Sequence, residues 1–304
     1  MTEVHGLLVV DKAQGCTSHD VVNVARRALG TRAIGHTGTL DPTATGALVL
    51  VVGEATKLVN SLSGLTKRYL ATVRLGASTS TLDAEGDVDE TGSIPELTRA
   101  DVETAAARFV GELDQQVPKV SAIKVDGKSL YKRARSGQTF EAPTRRVRLD
   151  ELRVLALRPD ELDLELTCGS GFYVRSLARD LARSLGTLGH LSALRRTHNG
   201  RFEAAGAVTF QELKEARGEE RLQAALHARL LPLAEVCREL PHLTLDEEGV
   251  VHARCGRAIP RAHVLGELRE QVGPIVAFDA GGTPVALVEL VPDHLRVLRG
   301  FRAL

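Results

Sequence analysis

The amino-acid sequence predicts an α+β fold: a mixed, mainly antiparallel sheet with flanking helices, followed by a small β-rich unit. Apolar residues make up 43% of the 304 residues, which is enough to bury a core. Residues 161–168 alternate between leucine and acidic side chains, which is typical of a strand that buries one face. From about Leu243 the sequence changes to short apolar runs between Gly/Pro turns. Strands mixed with helices, followed by a strand-rich end, favour the α+β class.

The N-terminal elements are predicted from apolar runs and turn residues. GLLVVD at 6–11 predicts a buried strand, and Ser18 is placed to cap a helix from Asp20 to Leu29. Glycines and prolines make 35–46 a loop. Two strands follow at 47–53 and 67–76, and an acidic, turn-rich connection follows at 79–92.

The later elements are predicted in the same way. Thr98 and Asp101 are placed to cap the first turn of a helix over 98–110. Leu162, Leu164 and Leu166 lie on one face of their strand, and the GSG at 169–171 ends it. The remaining predicted elements are a strand at 147–157, a helix at 173–185 and two weaker helices within 209–230.

Composition excludes several classes of protein. The N-terminus lacks a long apolar segment, which predicts no secretory signal, and no run of 18 apolar residues could span a membrane. The four cysteines form no CxxC pair, so they are predicted to be free thiols in a reducing cytoplasm. No metal-ligand cluster is visible, and nothing in the sequence indicates an oligomer, so we expect a monomer.

The formal net charge is zero, but basic residues are concentrated in two segments. Residues 119–148 hold nine basic and two acidic side chains, and residues 175–201 hold six arginines against Asp180. Such segments either are solvated or bind phosphates, and charge alone does not distinguish RNA from DNA or an acidic protein. We predict nucleic-acid contacts for the following residues: Lys124, Lys128, Lys132, Arg133, Arg135, Arg145 and Arg146.

An ordered set of motifs resembles the TruB family of tRNA pseudouridine-55 synthases. The loop GHTGTLDPTATG (35–46) is the most specific of them. The others, in the family's order, are VVDKAQGCTS (9–18), KRYLATVRLG (67–76), TLDAEGDV (81–88), SAIKVDGKSLYKRARSG (121–137), GSGFYVRSLARDL (169–181) and LSALRRTHNGRF (191–202). This resemblance covers about residues 5–235 and implies a pseudouridine synthase catalytic domain at 1–240, with a basic RNA-clamping insertion at about 118–146. Residues 241–304 resemble a PUA domain, an RNA-binding β-barrel.

The resemblance implies that the protein isomerises uridine 55 in the T-loop of tRNA after flipping the base out of its stack. This reaction moves no electrons or phosphoryl groups, so we expect no cofactor and no metal. Asp41 is implied to be the essential carboxylate, although a lone Asp-Pro is more often a turn. It could attack C1′, attack the uracil ring or take a proton from the ribose, and the sequence leaves all three open.

The resemblance also assigns roles to other residues. Arg175 is implied to pair with Asp41 and keep it charged, and Tyr69 to stack on the flipped base. Further substrate-binding residues are Leu194, Tyr173 and His36, the last in holding or displacing the target nucleotide. Three residues are expected to support the site: Asp83, Lys57 and Lys12.

Three alternative functions remain open at this point. The same chemistry could be guided by a separate RNA, as in dyskerin-like relatives, or the protein could be a tRNA-binding folding factor. An unrelated enzyme could bind nucleotide phosphates through the Gly-rich loop, but that loop lacks both GK[ST] and GxGxxG.

Overall fold

The computed structural model of the chain describes residues 4–120, 124–125, 128–129, 142–268 and 271–302, with the backbone alone at 124–125 and 128–129. The described strands are, in chain order, β1 Gly6–Lys12, β2 Ile34–His36, β3 Thr45–Val52, β4 Lys67–Leu75, β5 Ala77–Thr79, β6 Val88–Thr91, β7 Gly111–Gln116, β8 Lys124–Val125, β9 Lys128–Ser129, β10 Thr144–Arg158, β11 Glu161–Cys168, β12 Gly189–Asn199, β13 Phe202–Glu203, β14 Val208–Thr209, β15 Leu231–Pro232, β16 His242–Leu245, β17 Ile259–Pro260, β18 Val264–Leu265, β19 Pro274–Phe278, β20 Pro284–Leu290 and β21 His294–Gly300.

The described helices are α1 Ser18–Ala28, α2 Val59–Ser63, α3 Arg99–Ala107, α4 Val174–Ser184, α5 Phe210–Glu215, α6 Glu220–Ala228, α7 Leu233–Arg238 and α8 Glu247–Arg254. Two 3₁₀ helices occupy Gly53–Leu58 and Arg261–His263.

Eleven of the described strands form a central sheet with the order β14-β1-β3-β12-β4-β11-β10-β7, to which β13, β15 and β2 add at the sides. Only the β1–β14 and β3–β12 pairs are parallel among the described pairs of this sheet; the rest are antiparallel. The predicted mixed, mainly antiparallel sheet is therefore confirmed.

Two cores cover opposite faces of the central sheet. Strand β3 contributes Leu48, Leu50 and Val52 to one core and Val49 and Val51 to the other. This two-sided burial explains its continuous apolar run, since both faces of the strand exclude water. Helices α1, α3, α4 and α5 contribute buried residues to the first core, whereas the Gly53–Leu58 turn, α2 and α7 contribute to the second.

The C-terminal strands form a second sheet of six strands, with the order β17-β21-β20-β19-β16-β18, which is near-closed and barrel-like. It has its own small core. Val276, Phe278, Leu287 and Phe301 also join the second core of the central sheet. The C-terminal unit is thus fixed to the central sheet by shared apolar packing.

Two sequence predictions need correction in detail, and some short elements were not predicted. The N-cap of α1 is Thr17, whose hydroxyl accepts from the backbone N–H of Asp20, not Ser18. The predicted loop 35–46 begins and ends in strands β2 and β3. Helices α7 and α8 and the hairpin of β5 and β6 were not predicted, because each is short and lacks a clear apolar period.

Candidate active site

The loop between β2 and β3, residues 37–44, carries Asp41 and is anchored by side chains from three other elements. Ser18 at the start of α1 accepts a hydrogen bond from the Leu40 N–H at 2.9 Å and donates one to the Leu40 carbonyl at 3.1 Å. At the other end, the buried Asn199 donates its amide to the Thr37 hydroxyl at 3.0 Å. These contacts fix the backbone on the N-terminal side of Asp41.

Arg196 is buried and holds the backbone of the same loop through hydrogen bonds. Its side chain is 1% exposed, and its Nε donates to the Ala47 carbonyl at 2.7 Å. The two terminal nitrogens donate to the carbonyls of Gly38 at 3.0 Å and Thr39 at 3.4 Å. One guanidinium therefore ties β12 to the carbonyls that lead into Asp41.

Lys12 holds the opposite side of the loop. Its ammonium is fully buried and donates to the carbonyls of Ala13, Cys16 and Pro42, at 3.0, 2.7 and 3.3 Å. Pro42 follows Asp41 directly, so the Lys12 ammonium holds the backbone next to Asp41. Burial lowers the pKa of Lys12, while Cys16 and Asp41 raise it.

Arg175 lies between two carboxylates at the N-terminus of α4. Its Nε is 2.9 Å from Asp41 Oδ2, and its Nη2 donates to Asp41 Oδ1 at 3.3 Å. On the other side, Nη1 is 3.4 Å from Asp83 Oδ2. The backbone carbonyls of Thr81 and Val120 accept the remaining contacts, at 2.9 and 3.1 Å. The guanidinium is thus held in one orientation by five oxygens.

The two carboxylates differ in exposure. Asp83 is buried, and its carboxylate accepts from the Glu85 N–H at 3.1 Å, whereas 36% of the Asp41 side chain is exposed. Burial raises the pKa of the Asp41 carboxyl and Asp83 adds to this effect, while Arg175 and Lys12 lower it. Arg175 therefore favours an ionised Asp41 in a setting that otherwise disfavours charge.

Asp41 opens onto a cavity of about 390 Å³, within the range of small-ligand sites. Among its lining residues are Asp41, Lys67, Tyr69, Tyr173, Arg175, Leu194 and Arg196. The structure thus brings together four of the residues predicted to act on substrate with Asp41: Tyr69, Tyr173, Arg175 and Leu194.

The central sheet determines how these cavity residues face one another. Tyr69 lies on β4 directly opposite Arg196 on β12, and Ala71 lies opposite Leu194. Tyr69 is 9% exposed, and burial raises the pKa of its hydroxyl. An aromatic ring held in this way at a cavity wall is suited to stacking against a planar ligand.

Tyr173 is positioned through its backbone. Buried Gln115 donates to the Tyr173 carbonyl at 3.0 Å and accepts from the Tyr173 N–H at 2.8 Å. This paired contact from β7 fixes the turn that starts α4, and with it the position of Arg175 two residues later. Sequence reasoning gave no role to Gln115, because a glutamine in a polar edge strand carries no pattern.

His36 lies next to the cavity rather than in its lining. It is the last residue of β2, directly before Thr37, and its Nδ1 is buried without a hydrogen-bond partner in the described part of the chain. Burial lowers the pKa of His36, and Arg196 and His19 lower it further. The imidazole is therefore neutral at pH 7, which agrees with a binding role and not with a cationic one.

Lys57 is not brought to the site, which corrects its place among the expected supports. Its ammonium pairs with Glu54 and donates to the Gly300 carbonyl at 2.7 Å, and it lies 6.0 Å from the ring centre of Phe301. Glu54 also accepts from the Arg302 N–H at 2.7 Å. Lys57 therefore helps to attach the C-terminal sheet to the central sheet, because it lies on the 3₁₀ helix Gly53–Leu58 and contacts Gly300 and Phe301.

Most of the residues predicted to contact nucleic acid lie outside the described part of the chain. Lys132, Arg133 and Arg135 lie outside the described residues, as do the side chains of Lys124 and Lys128. Arg145 and Arg146 are exposed on β10, and Arg146 pairs with Glu112 at 3.3 Å and Asp114 at 3.7 Å on β7.

The second basic segment is largely neutralised by its own contacts. Arg195 pairs with Asp11 at 2.7 Å, Arg201 with Glu239 at 3.0 Å and Arg179 with Asp180 at 2.7 Å. Arg175 and Arg196 are buried. Arg183 is exposed and forms no ion pair within the described residues. It is therefore the arginine of this segment that remains a candidate for phosphate binding.

Within the described residues, no group of three or more His, Cys, Asp or Glu side chains is arranged to hold a metal ion. No helix in the same part of the chain is long and apolar enough to cross a membrane.

Comparison with known proteins shows the family to which the chain is related. Residues 26–174 match the TruB family pseudouridylate synthase N-terminal domain, and residues 175–237 match the tRNA pseudouridylate synthase B C-terminal domain. A relative from Mycobacteroides abscessus, named tRNA pseudouridine synthase B, is 43% identical over 301 residues, which cover 95% of this chain and 97% of that protein. One of the same name from Caulobacter sp. strain K31 is 40% identical, with 98% and 96% coverage.

Solved structures confirm the predicted fold. The chain resembles a protein in the crystal structure of a Cbf5–Nop10–Gar1 complex, with a TM-score of 0.77, 21% identity, and 98% and 85% coverage. The class that the family and sequence matches share is the pseudouridylate synthases, which are isomerases. Within this class, the chain belongs to the TruB family.

Proposed function

We propose that this enzyme converts uridine 55 of the tRNA T-loop to pseudouridine, with Asp41 as the essential carboxylate. The observation that carries the proposal is the Asp41–Arg175 pair at the wall of a cavity that Tyr69 also lines. The relatives named tRNA pseudouridine synthase B, at 40–43% identity over nearly the whole chain, support tRNA as the substrate.

The geometry supports a single carboxylate with access to the substrate. Asp83 cannot replace Asp41 at the substrate, because it is buried behind Arg175 and its carboxylate is used by the Glu85 N–H. Asp41 keeps an exposed face toward the cavity. We propose that Arg175 holds Asp41 charged and oriented, so that it can act on the ribose C1′, the uracil ring or a ribose proton.

The substrate uridine would enter the cavity as a flipped base. We propose that Tyr69 stacks on the uracil, that Leu194 and Tyr173 complete the walls, and that His36 contacts the nucleotide at the cavity rim. Stacking on one aromatic side chain contributes about 1–3 kcal/mol per base, which offsets part of the cost of flipping.

Electrostatic attraction to the tRNA backbone would come from the basic insertion. We propose residues 118–146 as a clamp that includes Lys124, Lys128, Lys132, Arg133, Arg135, Arg145 and Arg146, carried by a catalytic domain at 1–240. Residues 241–304 would form a PUA-like RNA-binding domain, and the enzyme would act as a monomer.

Purified protein alone, incubated with an unmodified tRNA transcript, tests the reaction. Site-resolved chemical mapping should show pseudouridine at position 55 and at no other uridine, with no added RNA, cofactor or metal. A transcript with cytidine at position 55 is the control. Dependence on a guide RNA would favour the dyskerin-like alternative, and tRNA refolding without any pseudouridine would favour a folding factor.

The clamp is tested by a matched pair of double variants. Lys132→Ala/Arg133→Ala should reduce the slope of log affinity against log salt, by up to about 0.9 per lost phosphate contact. Arg217→Ala/Arg221→Ala removes the same charge from exposed positions near α6 and should leave the slope unchanged. Equal slopes in both double variants would show that the insertion does not contact phosphates.

A further inference from the structure

The walls of the Asp41 site contain more buried positive charge than the described carboxylates neutralise. Four cationic side chains are buried there: Lys12, Lys67, Arg175 and Arg196. Asp41 and Asp83 both pair with Arg175, and no described carboxylate lies within ion-pair distance of the other three cations. Burying a charge is costly unless something compensates it. Such an imbalance indicates that the site is built to meet negative charge on its substrate.

Lys67 differs from the other two unpaired cations in the contacts that its donors make. Lys12 uses all three of its N–H donors on the carbonyls of Ala13, Cys16 and Pro42. Arg196 uses three of its five N–H donors, one from each nitrogen, on the carbonyls of Ala47, Thr39 and Gly38, and these contacts hold its guanidinium against the backbone. Among the described residues, Lys67 donates to the carbonyls of Ser63 and Leu65 only, and its side chain lines the cavity. An ammonium has three donors, so one N–H of Lys67 is left for the cavity.

The strand geometry places Lys67 beside the ring that is proposed to stack on the base. Lys67 and Tyr69 are two residues apart on β4, so their side chains leave the same face of the sheet, roughly 7 Å apart. Arg196 lies directly opposite Tyr69 on the neighbouring strand. A uracil stacked on Tyr69 would therefore present one edge to the Lys67 ammonium.

We propose that Lys67 is a catalytic residue that donates a hydrogen bond to a carbonyl oxygen of the flipped uracil and stabilises negative charge on the base while its bond to the ribose breaks. This inference rests on the proposed function. When the C1′–N1 bond breaks, its electron pair stays on the uracil and spreads to the carbonyl oxygens. The C1′–C5 bond then forms, C5 loses its proton and N1 gains one, so the product is an isomer of the substrate.

This role explains why a positive charge is buried at Lys67. Burial lowers the pKa of Lys67 to about 8, with Arg196 lowering it and Cys168 raising it. The ammonium therefore still carries its proton near pH 7, but in an unfavourable environment. Its interaction strengthens when an anion forms beside it, and an interaction that is stronger in the transition state than in the ground state increases the rate.

Single-turnover kinetics on tRNA transcripts test the proposal. Lys67→Met should slow pseudouridine formation by about 10²–10³-fold, the usual cost of removing one donor to a developing anion. The Kd for tRNA should stay within about threefold of wild type, because one neutral cavity contact is lost and the phosphate contacts remain.

A second substrate separates charge stabilisation from a structural role. With 5-fluorouridine at position 55, fluorine itself stabilises the uracil anion, so the Lys67→Met deficit should be at least about tenfold smaller than with uridine. Because C5 of this base carries fluorine and no proton, the C1′–C5 adduct keeps its fluorine and takes up water, with hydroxide at C6 and the proton at N1. The reaction is followed as formation of this hydrated C-glycoside, about 18 Da heavier than the substrate nucleoside, in nuclease digests by mass spectrometry. Lys12→Met is the matched control: this buried lysine acts through the loop, so its deficit should be equal on both substrates.

Two results would overturn the proposal: a folded Lys67→Met enzyme with a rate within about threefold of wild type, or equal deficits on the two substrates. If Lys67→Met does not fold, Lys67→Gln keeps an N–H donor without the charge, and the same comparison of substrates applies. Wild-type protein that makes no pseudouridine 55 would instead refute the proposed function, before any variant is compared.

Discussion

Arg175 should control the pH at which the enzyme becomes active. Its guanidinium is 2.9 Å from Asp41 at the closest pair of atoms, and an opposite charge at that distance lowers a carboxyl pKa by about 1–3 units. Burial and Asp83 both raise the pKa of Asp41. In Arg175→Met the guanidinium no longer opposes these two effects, so the pKa of Asp41 should rise.

The consequence is a displaced pH–rate profile. If ionised Asp41 is the active form, the rate rises with pH through the pKa of Asp41, and this rising limb should move by the same amount toward alkaline pH. At a fixed pH below the limb, the rate falls about tenfold for every pH unit that the limb moves. Single-turnover rates of pseudouridine formation, measured from about pH 5 to about pH 9, would locate the limb.

Two variants control for the loss of an arginine. Arg175→Lys keeps the positive charge and should keep the limb closer to its wild-type position. Arg179→Met removes an arginine one turn further along α4, where it pairs with Asp180, and should leave the limb in place. Melting curves check the fold, since Thr81 and Val120 lose a donor in Arg175→Met. A limb at the wild-type pH in folded Arg175→Met would refute this reasoning.

Three further predictions concern stability. The pKa of Lys67 falls from 10.5 to about 8 on folding, so the folded state binds fewer protons than the unfolded state between these pH values. The free energy of unfolding of the wild type, relative to that of Lys67→Met, should therefore increase by roughly 2–3 kcal/mol between about pH 7 and about pH 10, as measured by urea unfolding. Gly46→Ala should cost about 3 kcal/mol or more, because a Cβ at φ +104° would lie 2.1 Å from a carbonyl oxygen of β12; Gly206→Ala, at φ +71° in open space, should cost less. Phe278→Ala should cost about 3–5 kcal/mol in thermal melts, since Phe278 is 4% exposed in the core that joins the two sheets. Full wild-type stability in Gly46→Ala or Phe278→Ala would contradict the packing described at that residue. For Lys67, the same dependence of stability on pH in Lys67→Met as in wild type would contradict a lowered pKa in the folded state.

The fold could be predicted where one face of an element is apolar. Strand β11 shows this, with Leu162, Leu164 and Leu166 buried and the acids between them more exposed. Strand β7 could not be predicted, because GELDQQ is a polar edge strand that is held by backbone pairing with Thr144–Leu149. A strand that is held by backbone hydrogen bonds alone need not show an apolar pattern. For the same reason β10, at Thr144–Arg158, is longer than the strand predicted at 147–157.

The candidate site was predicted through the resemblance and not through spacing. Asp41 and Arg175 are 134 residues apart in sequence, and no local pattern connects them. Lys67 and Arg196 were missed as members of the site because charged side chains in strands are usually exposed, so their burial is visible only after folding. The error at Lys57 has the same origin, since its partners come from the C-terminal end of the chain.

The most direct test of the central claim is the Asp41→Asn variant, assayed for tRNA binding and for pseudouridine formation in the same preparation. The substitution keeps the shape of the side chain and removes its charge. Binding should stay within about tenfold of wild type, or roughly 1.4 kcal/mol, because most of the affinity is proposed to come from the basic insertion at 118–146 and not from this acid. Turnover should fall below detection, because an amide can neither attack carbon nor accept a proton at neutral pH. A folded Asp41→Asn enzyme that still makes pseudouridine at a comparable rate would contradict the assignment of Asp41 as the catalytic carboxylate.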